Sequence, residues 1–408
     1  MSTPINTLGP RRVIPLNANS LTSEEINAAK AVLDSGFLTM GRKVTEFESV
    51  FANYIGAKHA IMVNSGSSAN LIAAFALADG FLKTGSGKRR IQPGDEVIVP
   101  ALTWSTTVWP FVQAGAVPVF VDCDPATLQV PPEAIENAIT DKTRAIVVVH
   151  VLGGAVNIPA IRAIAEKHGL WLFEDTCESL GVTWNGQQVG TFGDMGSYSF
   201  YFAHHITTIE GGMVVTQDDD LADLLRAQRS HGWVRHMSAG AHHAAETPEI
   251  DPRFLFVTTG FNVRPTEINA AIGLVQLSKL DQFNDRRRAV GLRHDQMLHR
   301  LIQRGDLSVM SFDAQCAPAP FGYPVICRSR EDRNALQSHL EAHGIETRPV
   351  ICGNLARQPA MKHITHRISE TLSGCDTVMD RGLYWGTHPL MTDEDVDYVV
   401  AQVEAFFK

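Results

Sequence analysis

Three short stretches of this 408-residue chain carry side chains able to do chemistry. The run from Ser197 to Gly212 reads SYSFYFAHHITTIEGG, and it sets a histidine pair, His204 and His205, in a connection between two strand-like segments. A histidine pair suggests a metal centre or a proton-transfer base. No His-x-x-x-His spacing or adjacent carboxylate ligand set accompanies it, which argues against the metal centre. The strand-like WLFED ends in Asp175, with Glu178 three residues on. In an open parallel sheet, ligands bind beyond the carboxyl ends of strands, so an acid there faces a ligand or caps the turn that follows. The stretch Asn64-Ser65-Gly66-Ser67-Ser68-Ala69-Asn70 lies between the strand-like HAIMV and the apolar LIAAFALA. Small residues at a helix start leave unpaired N–H groups and the positive end of the dipole for an anion, or simply place a serine cap.

The elements that must position these residues are legible from periodicity. Residues 22–35 and 42–55 have helical spacing, with Ile26, Ala29, Val32 and Leu33, then Val44, Phe47, Val50 and Phe51. HAIMV, EVIVP, VPVFVD, AIVVVHV and WLFED are short β-rich runs separated by helical patterns such as IPAIRAIAEKHG. Such alternation predicts an α/β fold whose mainly parallel sheet is covered on both faces. GSYSF and GGMVVT add two strands, residues 236–252 lack periodicity and read as a long loop, and 265–304 read as a long helix interrupted near Gly291. We expect a large domain over 1–290 and a small α+β domain over 291–408, with a strand at GYPVICRS, a helix at EDRNALQSHLEAHG and a closing helix from Asp393.

Bulk properties narrow the classes of partner. The formal charge of −9 and the lack of a Lys/Arg block long enough to track a phosphate backbone argue against nucleic acid. No apolar run approaches the ~18–20 residues of a membrane span, and the N-terminal MSTPINTLGPRRVIPL has no signal-type core, so a cytoplasmic protein is expected. The six cysteines, at 123, 177, 316, 327, 352 and 375, show no CxxC pair and read as reduced thiols. GSGK at 85–88 lacks the spacing of a phosphate-binding loop and reads as a surface turn.

Taken jointly, GSSAN, PALTWSTT, EDTCES, SFYFAHHITTIEGG and GFNVRPTEINAAIG resemble the nucleotide-sugar aminotransferases of the DegT/DnrJ/StrS family along nearly the whole chain. The resemblance implies the type I fold of pyridoxal-phosphate-dependent transferases. Most of that family carries Ser-Phe-x-x-x-Lys before Glu-Gly-Gly, and the lysine holds the cofactor covalently. Here the position is His204. The His-His-Ile-Thr-Thr form is similar to a lysine-less branch that removes the C3 hydroxyl of nucleotide-linked 4-keto-6-deoxy sugars. One subgroup of that branch carries a cysteine-ligated [2Fe-2S] cluster. After Cys177 no cysteine occurs until Cys316, which favours the cluster-free subgroup, whose substrate is GDP-linked.

Carried over by position, the resemblance gives Gly66, Ser67 and Ser199 to the cofactor phosphate, Trp104 to stacking on the pyridine ring, and Asp175 to the ring nitrogen. Glu178 goes to the side of the ring hydroxyl, and Asn262 to the phosphate of a neighbouring subunit's cofactor, which implies a homodimer with shared sites. His231 and Glu346 resemble substrate-pocket residues, and His205 reads as a structural neighbour of His204. The implied chemistry uses pyridoxamine phosphate held without a covalent bond, His204 as base, a nucleotide-diphospho-4-keto-6-deoxy sugar as substrate and L-glutamate as amino donor, with ammonia released. Two other readings stay open on the residues alone: a sugar aminotransferase working without the lysine, and a non-catalytic sugar-nucleotide-binding protein. Retention of Asp175, Trp104 and Ser199 together argues against the last.

Overall fold

The computed structural model describes residues 12–82 and 87–408, so the N-terminal stretch up to residue 11 and the first half of the GSGK turn lie outside the described residues. An eight-stranded sheet organises the molecule, in the order His59–Val63, Gly212–Thr216, Met195–Ser199, Trp171–Asp175, Thr143–Val149, Glu96–Pro100, Val117–Val121 and Arg367–Ile368. Gly212–Thr216 runs antiparallel to both its neighbours, and every other pairing in the sheet is parallel. This is the α/β architecture that the alternating pattern predicts. The five runs read as strands are fully apolar or nearly so because both faces of the sheet are covered, and Ile61, Val97, Ile98, Val147, Val148 and Phe173 are all buried.

Alternation along the strand sorts two adjacent acids onto opposite faces. Glu174 turns toward residues 190–193, where it accepts from the backbone N–H groups of Gly190, Phe192 and Gly193 at 2.7–2.8 Å and pairs with the His150 ring at 3.1 Å. Asp175 turns the other way. The first acid is therefore consumed by the fold, and the second is left at the strand's carboxyl end.

Two expectations need correction. The helix Glu267–Gln303 is continuous through Gly291, because a buried row from Ala270 to Leu301 holds it and outweighs the ~1 kcal/mol cost of an interior glycine. Residues 236–252 are not all loop, since Gly240–Glu246 forms a helix. None of its residues is buried, so no apolar stripe marked it.

The C-terminal part builds a four-stranded antiparallel sheet, in the order Leu307–Val309, Gly322–Cys327, Gly382–Gly386 and Thr347–Arg348. The helix Arg330–Ala342 and the closing helix Asp393–Phe406, started by a Thr392 capping box, cover it. Between these elements the chain returns to the large sheet, where Arg367–Ile368 pairs with the strand at 117–121, and the Cys352 thiol meets the carbonyl of Thr103 at 2.7 Å. Among the described residues no helix is long and apolar enough to cross a membrane.

Candidate active site

The site is built where the carboxyl end of Trp171–Asp175 meets the start of the helix Gly66–Ala78. Ser65 caps that helix by accepting from Ser68 N–H at 3.0 Å, and Asn70, one turn in, reaches down to the strand end. Asn70 Nδ2 donates to Asp175 Oδ2 at 2.8 Å and Thr107 Oγ1 donates to the same oxygen at 2.8 Å. The Cys177 amide donates to Asp175 Oδ1 at 3.1 Å, and Ser197 Oγ fixes Asn70 by donating to its Oδ1 at 2.6 Å. The Asp175 carboxylate is thus buried, held by three neutral donors, and has no cationic partner among the described residues. A buried carboxylate of this kind is costly unless something positive completes it. A protonated pyridine nitrogen supplies that charge, so the donor set fits the group implied by the resemblance.

Gly66 and Ser199 form the next part of the cradle. A Cβ at Gly66 would stand 2.6 Å from Ser199 Cβ and 3.0 Å from Cys177 Sγ, so only glycine lets the helix start approach this closely. With Ser65 occupied by Ser68 and Ala69, the amides of Gly66 and Ser67 are left without an intrahelical acceptor, as at any helix start. Ser67 Oγ donates to Thr106 Oγ1 at 3.0 Å, and Ser199 Oγ accepts from Tyr201 N–H at 3.3 Å, which leaves its own proton free to donate. These groups leave hydrogen-bond donors at the positive end of the helix, where an anion is favoured. Trp104 precedes the helix Ser105–Gln113 and is 58% exposed, an indole face open for stacking.

The connection from Phe200 to Gly211 carries His204 and is closed on itself. Phe200 N–H donates to Gly211 O and Thr208 N–H to Phe200 O, both at 2.9 Å, while Asn269 Nδ2 donates to Thr208 O at 2.8 Å. Gly212 has to be glycine, since a Cβ there would fall 2.3 Å from the Ser65 carbonyl, and this contact brings the connection against the helix start. His204 lies between aromatic rings, with centroids 5.8 Å from Tyr201 and 5.2 Å from Phe321. Its Nδ1 is buried and unpartnered. Burial pushes its pKa down to about 3, with the Arg287 guanidinium adding to the effect, so the ring is neutral across the physiological range. His205 is committed elsewhere, its Nε2 bonded to the Ala319 carbonyl at 2.8 Å.

Glu178 accepts from Leu152 N–H at 3.1 Å, and Leu152 holds a left-handed φ of 48°. Burial, together with the Asp175 charge, raises the Glu178 pKa to about 7 against that hydrogen bond, so Glu178 carries a proton for part of the time at neutral pH. Leu152 also connects to the other wall, since its carbonyl accepts from Phe321 N–H at 3.2 Å. Glu346 accepts from Leu16 N–H at 2.9 Å and pairs with Arg348. It belongs to this neighbourhood through Tyr384, whose phenol is raised by burial and by the charges of Glu178 and Glu346, with Arg348 opposing.

His231 and Asn262 lie on a segment that reaches the start of the helix Gly66–Ala78, since Asn64 N–H donates to the Val263 carbonyl at 3.0 Å. The two lie side by side on exposed backbone, through a bridge between Ser230 and Asn262 and a 2.7 Å bond from His231 N–H to Phe261 O. His231 has a left-handed φ of 66°, and the Asn262 side chain accepts from Arg264 Nε at 3.0 Å. Neither makes a hydrogen bond to Asp175, Glu178 or His204. Sequence reasoning missed Thr107, Phe321, Tyr384 and Arg287. Thr107 and Asn70 sit inside quoted motifs and were open to assignment, whereas Phe321 and Arg287 carry no local signal. Among the described residues the only cluster with metal-ligand spacing is Asp122, Cys123 and Cys375.

The chain is similar to known proteins along almost its whole length. The model of the DegT/DnrJ/EryC1/StrS aminotransferase family matches residues 19–404. A GDP-4-keto-6-deoxy-D-mannose 3-dehydratase from Yersinia pseudotuberculosis is 37% identical over 94% of this chain and 96% of its own length. Two crystal structures of GDP-4-keto-6-deoxymannose-3-dehydratase superpose with a TM-score of 0.86 at 34% identity. One is a histidine variant of ColD with bound GDP-perosamine, covering 96% of this chain and 100% of its own. The other holds a trapped PLP-glutamate geminal diamine and covers 95% and 99%. A family model spanning almost the whole chain, and whole-length likeness in both sequence and fold, establish that this chain belongs to the DegT/DnrJ/EryC1/StrS aminotransferase family.

Proposed function

We propose that this protein is a pyridoxamine-phosphate-dependent enzyme that removes the C3 hydroxyl of a nucleotide-linked 4-keto-6-deoxyhexose, with GDP-4-keto-6-deoxymannose as the favoured substrate. The observation that carries the reading is a neutral, partly buried histidine at the lysine position, near a buried Asp175 with no cationic partner among the described residues. The names of the relatives, dehydratases matched over almost their full length, support it.

The bound cofactor supplies an amine for the C4 ketone and a ring able to store an electron pair. Gly66, Ser67 and Ser199 hold its phosphate, Trp104 covers one ring face, Asp175 keeps the ring nitrogen protonated, and Glu178 meets the ring hydroxyl. With the cofactor bound, His204 would act as the base, for which a neutral imidazole is competent and a protonated one is not, and unlike a lysine it would not hold an aldehyde covalently. The cofactor would supply the chemistry for loss of the C3 hydroxyl, giving a 3-deoxy-4-keto sugar and ammonia, with L-glutamate as the amino donor. His231 and Asn262, both exposed, contribute to the site of a second copy in a homodimer, and Glu346 reaches the sugar.

Reductive trapping tests this. Borohydride added to the protein with pyridoxal phosphate, followed by denaturation and peptide mass analysis, should leave every lysine without a pyridoxyl group. A stoichiometric adduct on any lysine would show that another side chain has taken over the covalent role and would overturn the proposal.

A further inference from the structure

His204 has a wall behind it that the chemistry above does not use. Residues 318–321 form a strap between the two sheets, and each of its carbonyls is taken by a side chain. Arg288 Nη1 donates to Pro318 O at 3.2 Å, His205 Nε2 bonds Ala319 O, Thr387 Oγ1 donates to Pro320 O at 2.9 Å, and Arg287 Nη1 donates to Pro320 O and Phe321 O, both at 3.3 Å. The Phe321 ring at the end of the strap lies against both histidine rings, at 5.2 and 5.8 Å.

Arg287 is 3% exposed, with its Nε unpartnered, and no carboxylate pairs with it among the described residues. A buried guanidinium is usually paired, because leaving one uncompensated is costly. We propose that Arg287 is a positioning residue for His204, clamping the strap whose Phe321 ring seats the imidazole and standing as an uncompensated cation behind it. The inference rests on the reading of His204 as the base.

Among the described residues, two cations grip the strap: Arg288 at Pro318, itself paired with Asp285, and the unpaired Arg287 at Pro320 and Phe321, next to the ring that touches His204. Tyr201 and His205 come from the same connection, and the strap offers only the Phe321 ring and backbone carbonyls. His388, beside Thr387, has both ring nitrogens buried without a partner. Burial and Arg287 depress His388 and His205 as they depress His204, so both are neutral, and the more distant Asp395 acts on His388 alone. A nearby positive charge disfavours a second one, so its removal raises the histidine's midpoint.

The test is an NMR titration of labelled histidine in the cofactor-free protein, with the His204 signal assigned by its loss in His204→Gln. Arg287→Gln keeps an amide donor for the strap and removes the charge, Arg287→Met removes both, and Arg287→Lys keeps the charge. In either neutral variant that folds, the His204 midpoint should rise by about one pH unit or more, while Arg287→Lys keeps it low. The acid limb of the pH–rate profile should move with it. An unchanged midpoint in a folded Gln or Met variant, with activity lost or kept, would reduce Arg287 to a structural role and overturn the proposal. Because the titration needs no turnover, it stands or falls independently of whether the protein deoxygenates a sugar.

Discussion

His204→Lys should abolish most 3-deoxygenation and give a protein that holds pyridoxal phosphate covalently. The loss expected is at least the ~10²–10⁴-fold typical of a general base. The connection needs no rebuilding to accept the lysine, since Ser199, Phe200 and the Glu210-Gly211-Gly212 turn already match the lysine-bearing relatives in spacing, and its closing bonds at 2.9 Å are all backbone. The substitution has two separable effects. It removes a neutral base, and it provides an amine that captures the cofactor in its aldehyde state. Visible spectra of the variant, borohydride trapping on residue 204 and product analysis read these effects separately. A variant with wild-type dehydration would mean that the base is some other group.

Asp175→Asn should cost about 10²–10³-fold in rate, the scale seen when a preorganised electrostatic partner is removed from a buried site. The carboxylate accepts from Asn70, Thr107 and the Cys177 amide, and an asparagine can accept on one oxygen only, so it also turns an N–H toward existing donors. The fold should tolerate the change. Without cofactor, the variant removes a buried charge that no cation compensates, so its melting temperature should not fall below that of the wild type. The rise in melting temperature on adding pyridoxamine phosphate should shrink. A variant with full activity would show that Asp175 is a turn-capping residue and nothing more.

Much of this was legible in the chain. The strands of the large sheet read directly because burial on both faces makes them continuous apolar runs, and Asp175 could be placed at a strand's carboxyl end by counting along WLFED. Alternation alone could not say that Glu174 turns to residues 190–193 and Asp175 to Asn70 and Thr107, since it gives opposite faces but not which is which. The wall formed by Phe321 and Arg287 was beyond reach for a different reason. Those residues meet His204 across 83 to 117 positions of chain, through a strap without periodicity, and only the packing of the long helix against the second sheet brings them there. His231 and Asn262 were assigned by motif alone, and neither makes a hydrogen bond to Asp175, Glu178 or His204.

The most direct measurement is the balance of products in one reaction. The protein would be incubated with pyridoxamine phosphate, L-glutamate and GDP-4-keto-6-deoxymannose, with CDP- and dTDP-linked 4-keto-6-deoxy sugars in parallel, and sugar mass, 2-oxoglutarate and ammonia would be followed together. The account predicts a GDP-sugar one oxygen lighter than the substrate, with one ammonia and one 2-oxoglutarate formed for each. A 4-amino sugar formed without free ammonia, or no change in any of the sugars, would contradict it.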